Sequence, residues 1–145
     1  MAEVSLESVA KVLLINENQE VLVLTIGDYK DKPERSFTPD LPGGTVDPGE
    51  SELIAVKREL FEETGIELEL DTFKLAYAKT QFYASEHKSV SKFLYIAHIT
   101  YTPNVTISWE HSDHAWTPLK DITKNIQFRP FFEEAINYSF AAGIL

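Results

Sequence analysis

The stretch from Gly44 to Ile66, GTVDPGESELIAVKRELFEETGI, constrains this chain more than any other. Pro42, Gly43 and Gly44, then Pro48 and Gly49, mark turns, and the residues that follow read as a helix ending at Gly65. At about 100° per residue, Glu59, Glu62 and Glu63 share one face of that helix, with Glu52 pointing nearly the same way. Leu53, Val56 and Leu60 fall on a different face. An apolar stripe that can dock on a core therefore runs beside a stripe of carboxylates.

Like charges at i, i+4 cost a few tenths of a kcal/mol per pair on an exposed helix and more where solvent is excluded, so Glu59 and Glu63 oppose folding unless a cation compensates them. Carboxylate-only, oxygen-rich ligation suits Mg2+ or Mn2+. The chain has no cysteine to build a softer site, and the helix has no His-x-x-x-His or Glu-x-x-His pair. Arg58 adds a planar, permanently charged fork beside the carboxylates, fit to orient one of them or to meet a phosphate oxygen. A merely solvated acidic face would explain a lone Glu-Glu pair, but it would not require the glycines and prolines ahead of the helix.

Written as Gly44, five residues, Glu50, seven residues, Arg58-Glu59-Leu60, one residue, Glu62-Glu63, one residue and Gly65-Ile66, the segment resembles the Nudix box at every defining position. That resemblance implies an α/β fold, the Nudix α/β/α sandwich with a mixed sheet between helices. It also implies hydrolysis of a pyrophosphate link in a small nucleotide, a nucleoside diphosphate joined to a group X, by water attack on phosphorus. Carried over residue by residue, it makes Glu59, Glu62 and Glu63, with the Gly44 carbonyl, the ligands of Mg2+ (Mn2+ as a variant) and Arg58 the orienting arginine. Arg58, Glu59 and Glu62 are thus expected to be catalytic.

Nudix enzymes recruit their base either from the box helix or from a separate loop. The loop expected here is Trp109 to His114, with Glu110 the first choice and Asp113 the second; His111, beside Glu110, is the one histidine for which a phosphate or base contact is feasible, although a structural role is the commoner one. Tyr83, 17 residues past Ile66, is similar to the downstream tyrosine of Nudix enzymes acting on dinucleoside polyphosphates. Nucleoside triphosphates and dinucleoside polyphosphates are both in view. The alternative is a Nudix module that binds nucleotide without catalysis, although such modules tend to lose the metal acids kept here.

Composition narrows the partners. A chain of 145 residues reads as one domain, able to bury roughly 70% of the surface its unfolded form exposes. Its 13 Lys and Arg face 23 Asp and Glu, and residues 40 to 71 alone hold ten acids against Lys57 and Arg58. Such a chain repels long nucleic acid, whereas a small phosphorylated ligand can still bind through bridging divalent ions. Without cysteine there is no disulfide, no thiol nucleophile and no cysteine acid of the kind used by the related isopentenyl diphosphate isomerases. No segment approaches 18 apolar residues and no export signal is evident, so a cytoplasmic protein without a membrane partner is expected. A homodimer is left open.

Ahead of the box, residues 8–15 and 21–26 read as a hairpin, and the Pro-broken stretch 29–40 as a loop whose Tyr29, Arg35 and Phe37 are candidate substrate contacts. Behind it, 73–83 and 90–100 read as strands joined by a long loop, 115–117 as a short strand, and Pro130 as the start of a last helix whose apolar side includes Phe131, Phe132, Ala135, Ile136, Tyr138 and Phe140.

Overall fold

In a computed structural model describing residues 3–145, one mixed sheet separates two layers of helix. The strands are β1 (Ser5–Ile15), β2 (Glu20–Ile26), β3 (Pro39–Asp40), β4 (Gly43–Thr45), β5 (Phe73–Tyr83), β6 (Lys88–His98) and β7 (His111–Pro118). The helices are α1 (Glu52–Thr64), α2 (Ile122–Asn125) and α3 (Pro130–Ala141). Order across the sheet is β3-β2-β1-β6-β5, with β4 also on β1 and β7 on β2. β1 and β6 run parallel over their full length and every other pair is antiparallel. No described helix is long and apolar enough to cross a membrane.

Strand alternation sorts the core into two halves. Val12 and Leu14 of β1, Leu22 and Leu24 of β2, and Tyr95 and Ala97 of β6 face α1, where they meet Val56 and Leu60. Leu13 and Ile15, Val21 and Val23, and Leu94 and Ile96 face the other way, onto Phe132, Ala135 and Ile136 of α3. Strands covered on both faces are near-continuous apolar runs, as these are. Lys11 is the exception, a cation within the apolar run of β1.

β1 and β2 are joined by a tight hairpin and pair only at its base, Ile15 with Val21. Beyond that point they splay: β4 pairs with β1 through Val9, Ala10 and Lys11, while β3 and β7 pair with β2. The chain from 39 to 45 fills the gap, so the turn before α1 lies at an opening in the sheet. Gly43 makes this approach feasible. Its φ is +136°, and a Cβ there would stand 2.1 Å from the Ala10 carbonyl oxygen.

Some elements differ from expectation. β6 begins at Lys88, so its turn from β5 closes over residues 84–87, with His87 left-handed. β7 spans eight residues because it pairs along the whole of β2, and this puts Asp113 within the strand, opposite Thr25. On α3, Phe132, Ala135 and Ile136 are buried, but Tyr138 and Phe140 are among the exposed apolar side chains.

Candidate active site

The Ser51 hydroxyl caps the start of α1 by accepting from the Ile54 amide at 3.2 Å, and Gly65 ends the helix in the left-handed conformation. Ala55, Val56 and Leu60 are buried against the sheet; burying a leucine fully stabilises by about 1.5–3 kcal/mol. That packing sets the rotation of the helix. It places Glu59, Glu62 and Glu63 along a cleft of ≈ 630 Å³ whose wall also includes Gly44, Glu110 and Arg129. Glu52 is elsewhere, beside Tyr95, and the carboxylate that joins Arg58 from upstream is Glu50.

The three box glutamates occupy distinct environments. Glu63 is buried, and its Oε1 accepts a hydrogen bond from the Gly43 amide at 2.7 Å. Burial pushes its carboxyl up to about 7, against the opposing pull of Lys11, Gly43 and His111. Glu59 is half-buried and also raised, first by burial and further by Glu62 and Glu110, while Arg58 opposes the shift. Gly44 backs directly onto it, since a Cβ at 44 would come within 2.8 Å of the Glu59 carboxyl carbon. Glu62 is exposed and touches Arg58 at 3.2 Å.

Arg58 organises the group. Its Nε and Nη2 donate in a fork to the two oxygens of Glu50 at 2.7 and 2.9 Å, and its Nη1 donates to Glu59 at 3.0 Å. The guanidinium holds Glu50 down to about 2. Among the described residues no three acidic or histidine side chains converge on one point at metal-ligand distance. Arg58 lies between Glu59 and Glu62, and one oxygen of Glu63 is turned to Gly43. The donor set still fits a hard divalent cation: all oxygen, with two carboxylates whose charge burial disfavours until a cation offsets it.

Behind Glu63 lies a buried network that sequence reasoning missed. Asp40 accepts from Lys11 Nζ at 3.1 Å, from Arg129 Nη2 at 2.9 Å and from His111 Nε2 at 2.9 Å. Burial alone would raise the Asp40 carboxyl, but Lys11, His111 and Arg129 outweigh it and hold it well below the usual carboxylate range. With Asp40 ionised, His111 Nε2 must be the donor. Its Nδ1, without a hydrogen-bond partner, stands 3.7 Å from Glu63 Oε2. His111 reaches this place through a bulge: Asp113 pairs with Thr25 and His111 with Ile26, leaving Ser112 as the extra residue. It is thus a buried partner of two carboxylates that also lines the cleft wall. A lone lysine in an apolar strand and an aspartate just before a double glycine were the available signals.

The remaining candidates separate. The loop before β7 is tied to the end of α1 by the Thr106 and Ser108 amides, which donate to the Thr64 and Glu63 carbonyls. Glu110 is thereby brought to the cleft beside Glu59. Asp113 is exposed on β7 and does not line this cleft. Arg35 and Tyr29 line both this cleft and an adjoining one that Tyr83 also lines. Phe37, left-handed and 64% exposed, lines neither. Trp109, 91% exposed, also stands at the cleft wall.

The family model described as NUDIX domain matches residues 6–137. The chain belongs to the Nudix family. Over 78 residues it is 40% identical to a putative 8-oxo-dGTP diphosphatase of Bacillus subtilis (strain 168), a match covering 54% of this chain and 48% of that one. Over 92 residues it is 36% identical to an asymmetrical bis(5'-nucleosyl)-tetraphosphatase of Caenorhabditis elegans, covering 63% and 65%. The matched region is thus about half the length of the first Nudix relative and less than two thirds of the second. A crystal structure of a MutT protein from Methanosarcina mazei Go1 shares the fold, with a TM-score of 0.79, 24% identity and coverage of 98% and 99%.

Proposed function

We propose that this Nudix protein hydrolyses a pyrophosphate link in a small nucleotide, with Mg2+, or Mn2+ in its place, as the required ion. The observation that carries the reading is the arrival of Gly44, Glu59, Glu62, Glu63 and Glu110 on one cleft, with Arg58 fixing the first of the carboxylates. The two relatives named above are described as acting on 8-oxo-dGTP and on bis(5'-nucleosyl) tetraphosphates, both of which contain such a link.

Glu59, Glu62, Glu63 and the Gly44 carbonyl would hold the ion, which when bound supplies charge neutralisation on the phosphate oxygens. Arg58 keeps Glu59 in place through its fork on Glu50 and its contact with Thr45. Glu110, exposed at the cleft and close to Glu59, is the proposed base. It takes a proton from water as the water oxygen bonds to phosphorus and the bond from phosphorus to the bridging oxygen breaks. The bridging oxygen leaves with the departing phosphate.

A nucleotide panel with and without Mg2+, read as release of phosphate or pyrophosphate, tests this. Turnover should need the ion and should fall at least about a hundredfold in Glu62→Gln and in Glu110→Gln. Tight nucleotide binding by calorimetry without turnover of any substrate would mark a binding module instead.

A further inference from the structure

On the α1 side of the sheet, β1, β6 and β5 meet in cross-strand rows. Leu6, Ser89 and Phe82 form one row, Ser8, Ser91 and Thr80 the next, and Ala10, Phe93 and Ala78 the third. Strand alternation puts all three on the face that also carries Val12 and Tyr95, where α1 packs. None of the nine side chains is charged, although 25% of the chain is Asp, Glu, Lys or Arg. The reverse face of the same strands carries Glu7, Lys79, Lys88 and Lys92.

This uncharged face is only half covered. α1 packs over β1 and β4. The strip along β5 is left bare: Leu75, Phe82 and Leu6 are 54%, 57% and 84% exposed, and Ala78 and Thr80 are exposed beside them. The Thr80 and Ser91 hydroxyls bond to each other at 2.8 Å, which lowers the cost of covering the middle row. The helix adds two apolar side chains. Ile54 and Phe61, seven residues apart and so on one side of α1, are half exposed. At about 100° per residue they turn away from Glu59 and Glu62, toward the flank of Leu53 and Lys57. That flank looks onto the bare strip, since Lys57 Nζ donates to the Leu68 carbonyl in the segment leading to β5.

Helix and strip together make a step, with α1 standing about 10 Å above an open floor of strands. Such a step is complementary to its own copy turned about a two-fold axis. We infer that this face is an interface between two copies of the chain, in which α1 of each protomer lies on the β5–β6 floor of the other. Ile54 and Phe61 then meet Leu6, Leu75 and Phe82 of the second copy, and the two sheets enclose one shared layer of two helices. The exposed surface of these side chains and the hydroxyl row is on the order of 600–800 Å² per copy, close to the ~800 Å² of a standard-size interface. Charge points to the same occupant. Each copy carries a net charge of -10, which opposes approach of a second copy least at a patch without charge. An acidic or basic partner would find no countercharge on the floor. The cleft with Glu59 and Glu62 lies on the opposite flank of α1 and stays open in the pair, and the interface does not depend on the hydrolase reading.

Sedimentation of the full chain between about 1 and 300 µM tests this. A monomer–dimer equilibrium with a Kd in the micromolar range is expected. It should tighten by about tenfold between roughly 0.02 and 1 M NaCl, because salt screens the like charges and leaves the apolar contact intact. Ile54→Glu with Phe61→Glu on the helix, and separately Leu6→Lys with Phe82→Lys on the floor, should each weaken association by about thirtyfold or more, with far-UV circular dichroism unchanged. Mixing the two variants should restore a dimer, since one helix then meets an unaltered floor and the other a floor of opposite charge. Tyr138→Glu, half exposed on α3, should change the Kd by less than about twofold. Should a charged variant fail to fold, Leu6→Ser with Phe82→Thr reads the same contact as a loss of about three- to tenfold. A monomer at every concentration and salt would overturn the inference and leave the face to a different protein. Association that weakens as salt rises, a mixture that stays monomeric, or equal weakening by Tyr138→Glu would overturn it as well.

Discussion

The Gly43 amide donates to Glu63 Oε1 at 2.7 Å, so the backbone of the turn before α1 holds a carboxylate of the helix after it. This closes the loop between Gly43 and Glu63 on a buried, charge-sensitive contact, and the behaviour of the protein with pH should follow it.

Glu63 has its carboxyl raised by burial to about 7, above an unfolded value near 4.5. Its contribution to stability is therefore complete below pH 4.5 and is lost as pH rises through 7. Metal-free protein should lose on the order of 3 kcal/mol from this group between pH 4.5 and 8. Thermal melts in EDTA should show Tm falling over that window in wild type, with a flatter profile in Glu63→Gln. Identical slopes would exclude Glu63 as the source. Adding Mg2+ should restore more stability at pH 8 than at pH 5.

The two neighbouring glycines should respond differently to alanine. At Gly43 the added Cβ meets the Ala10 carbonyl oxygen at 2.1 Å in a left-handed backbone, which should cost about 3 kcal/mol or more by denaturant unfolding. At Gly44 it meets only the end of the Glu59 side chain, which can move. Gly44→Ala should keep nearly wild-type stability without metal and lose about 10- to 100-fold in Mg2+ affinity, read from the shift of Tm with ion concentration.

Arg58→Lys should not behave conservatively. A single ammonium cannot reproduce the fork on Glu50 while still reaching Glu59, so Glu59 is released from its position. A loss of about tenfold or more in kcat/KM is expected, with far-UV circular dichroism unchanged.

Asp40→Asn removes the charge that Lys11, Arg129 and His111 share, leaving two cations beside a neutral amide in a buried site. Destabilisation of about 3 kcal/mol is expected in chemical denaturation. A change below about 0.5 kcal/mol would show that solvent reaches the network and screens it.

Much of this site was legible because its information is local. Glu59, Glu62 and Glu63 lie within five residues, their common face follows from helix geometry, and Gly65 ends the helix where a left-handed cap is needed. The Asp40 network was hidden because its members are far apart in sequence, at 11, 40, 111 and 129. Only the splay of β1 from β2 and the bulge at Ser112 bring them together. Helical periodicity alone aligned Glu52 with the cluster, but the residue that reaches Arg58 is Glu50, ahead of the first turn, where no helical rule applies. Phe37 and Asp113 line neither of the two clefts for the same kind of reason: neighbourhood in sequence does not fix which side of a loop or strand a side chain takes.

The single pairing of Ile15 with Val21 at the root of the β1–β2 hairpin leaves an opening, lined by β3 and β4, that joins the two faces of the sheet. The box carboxylates stand on a helix on one side of the sheet, and Lys11 and Lys92 stand with α3 on the other. Changes on that second side therefore leave the carboxylates and their arginine as they are.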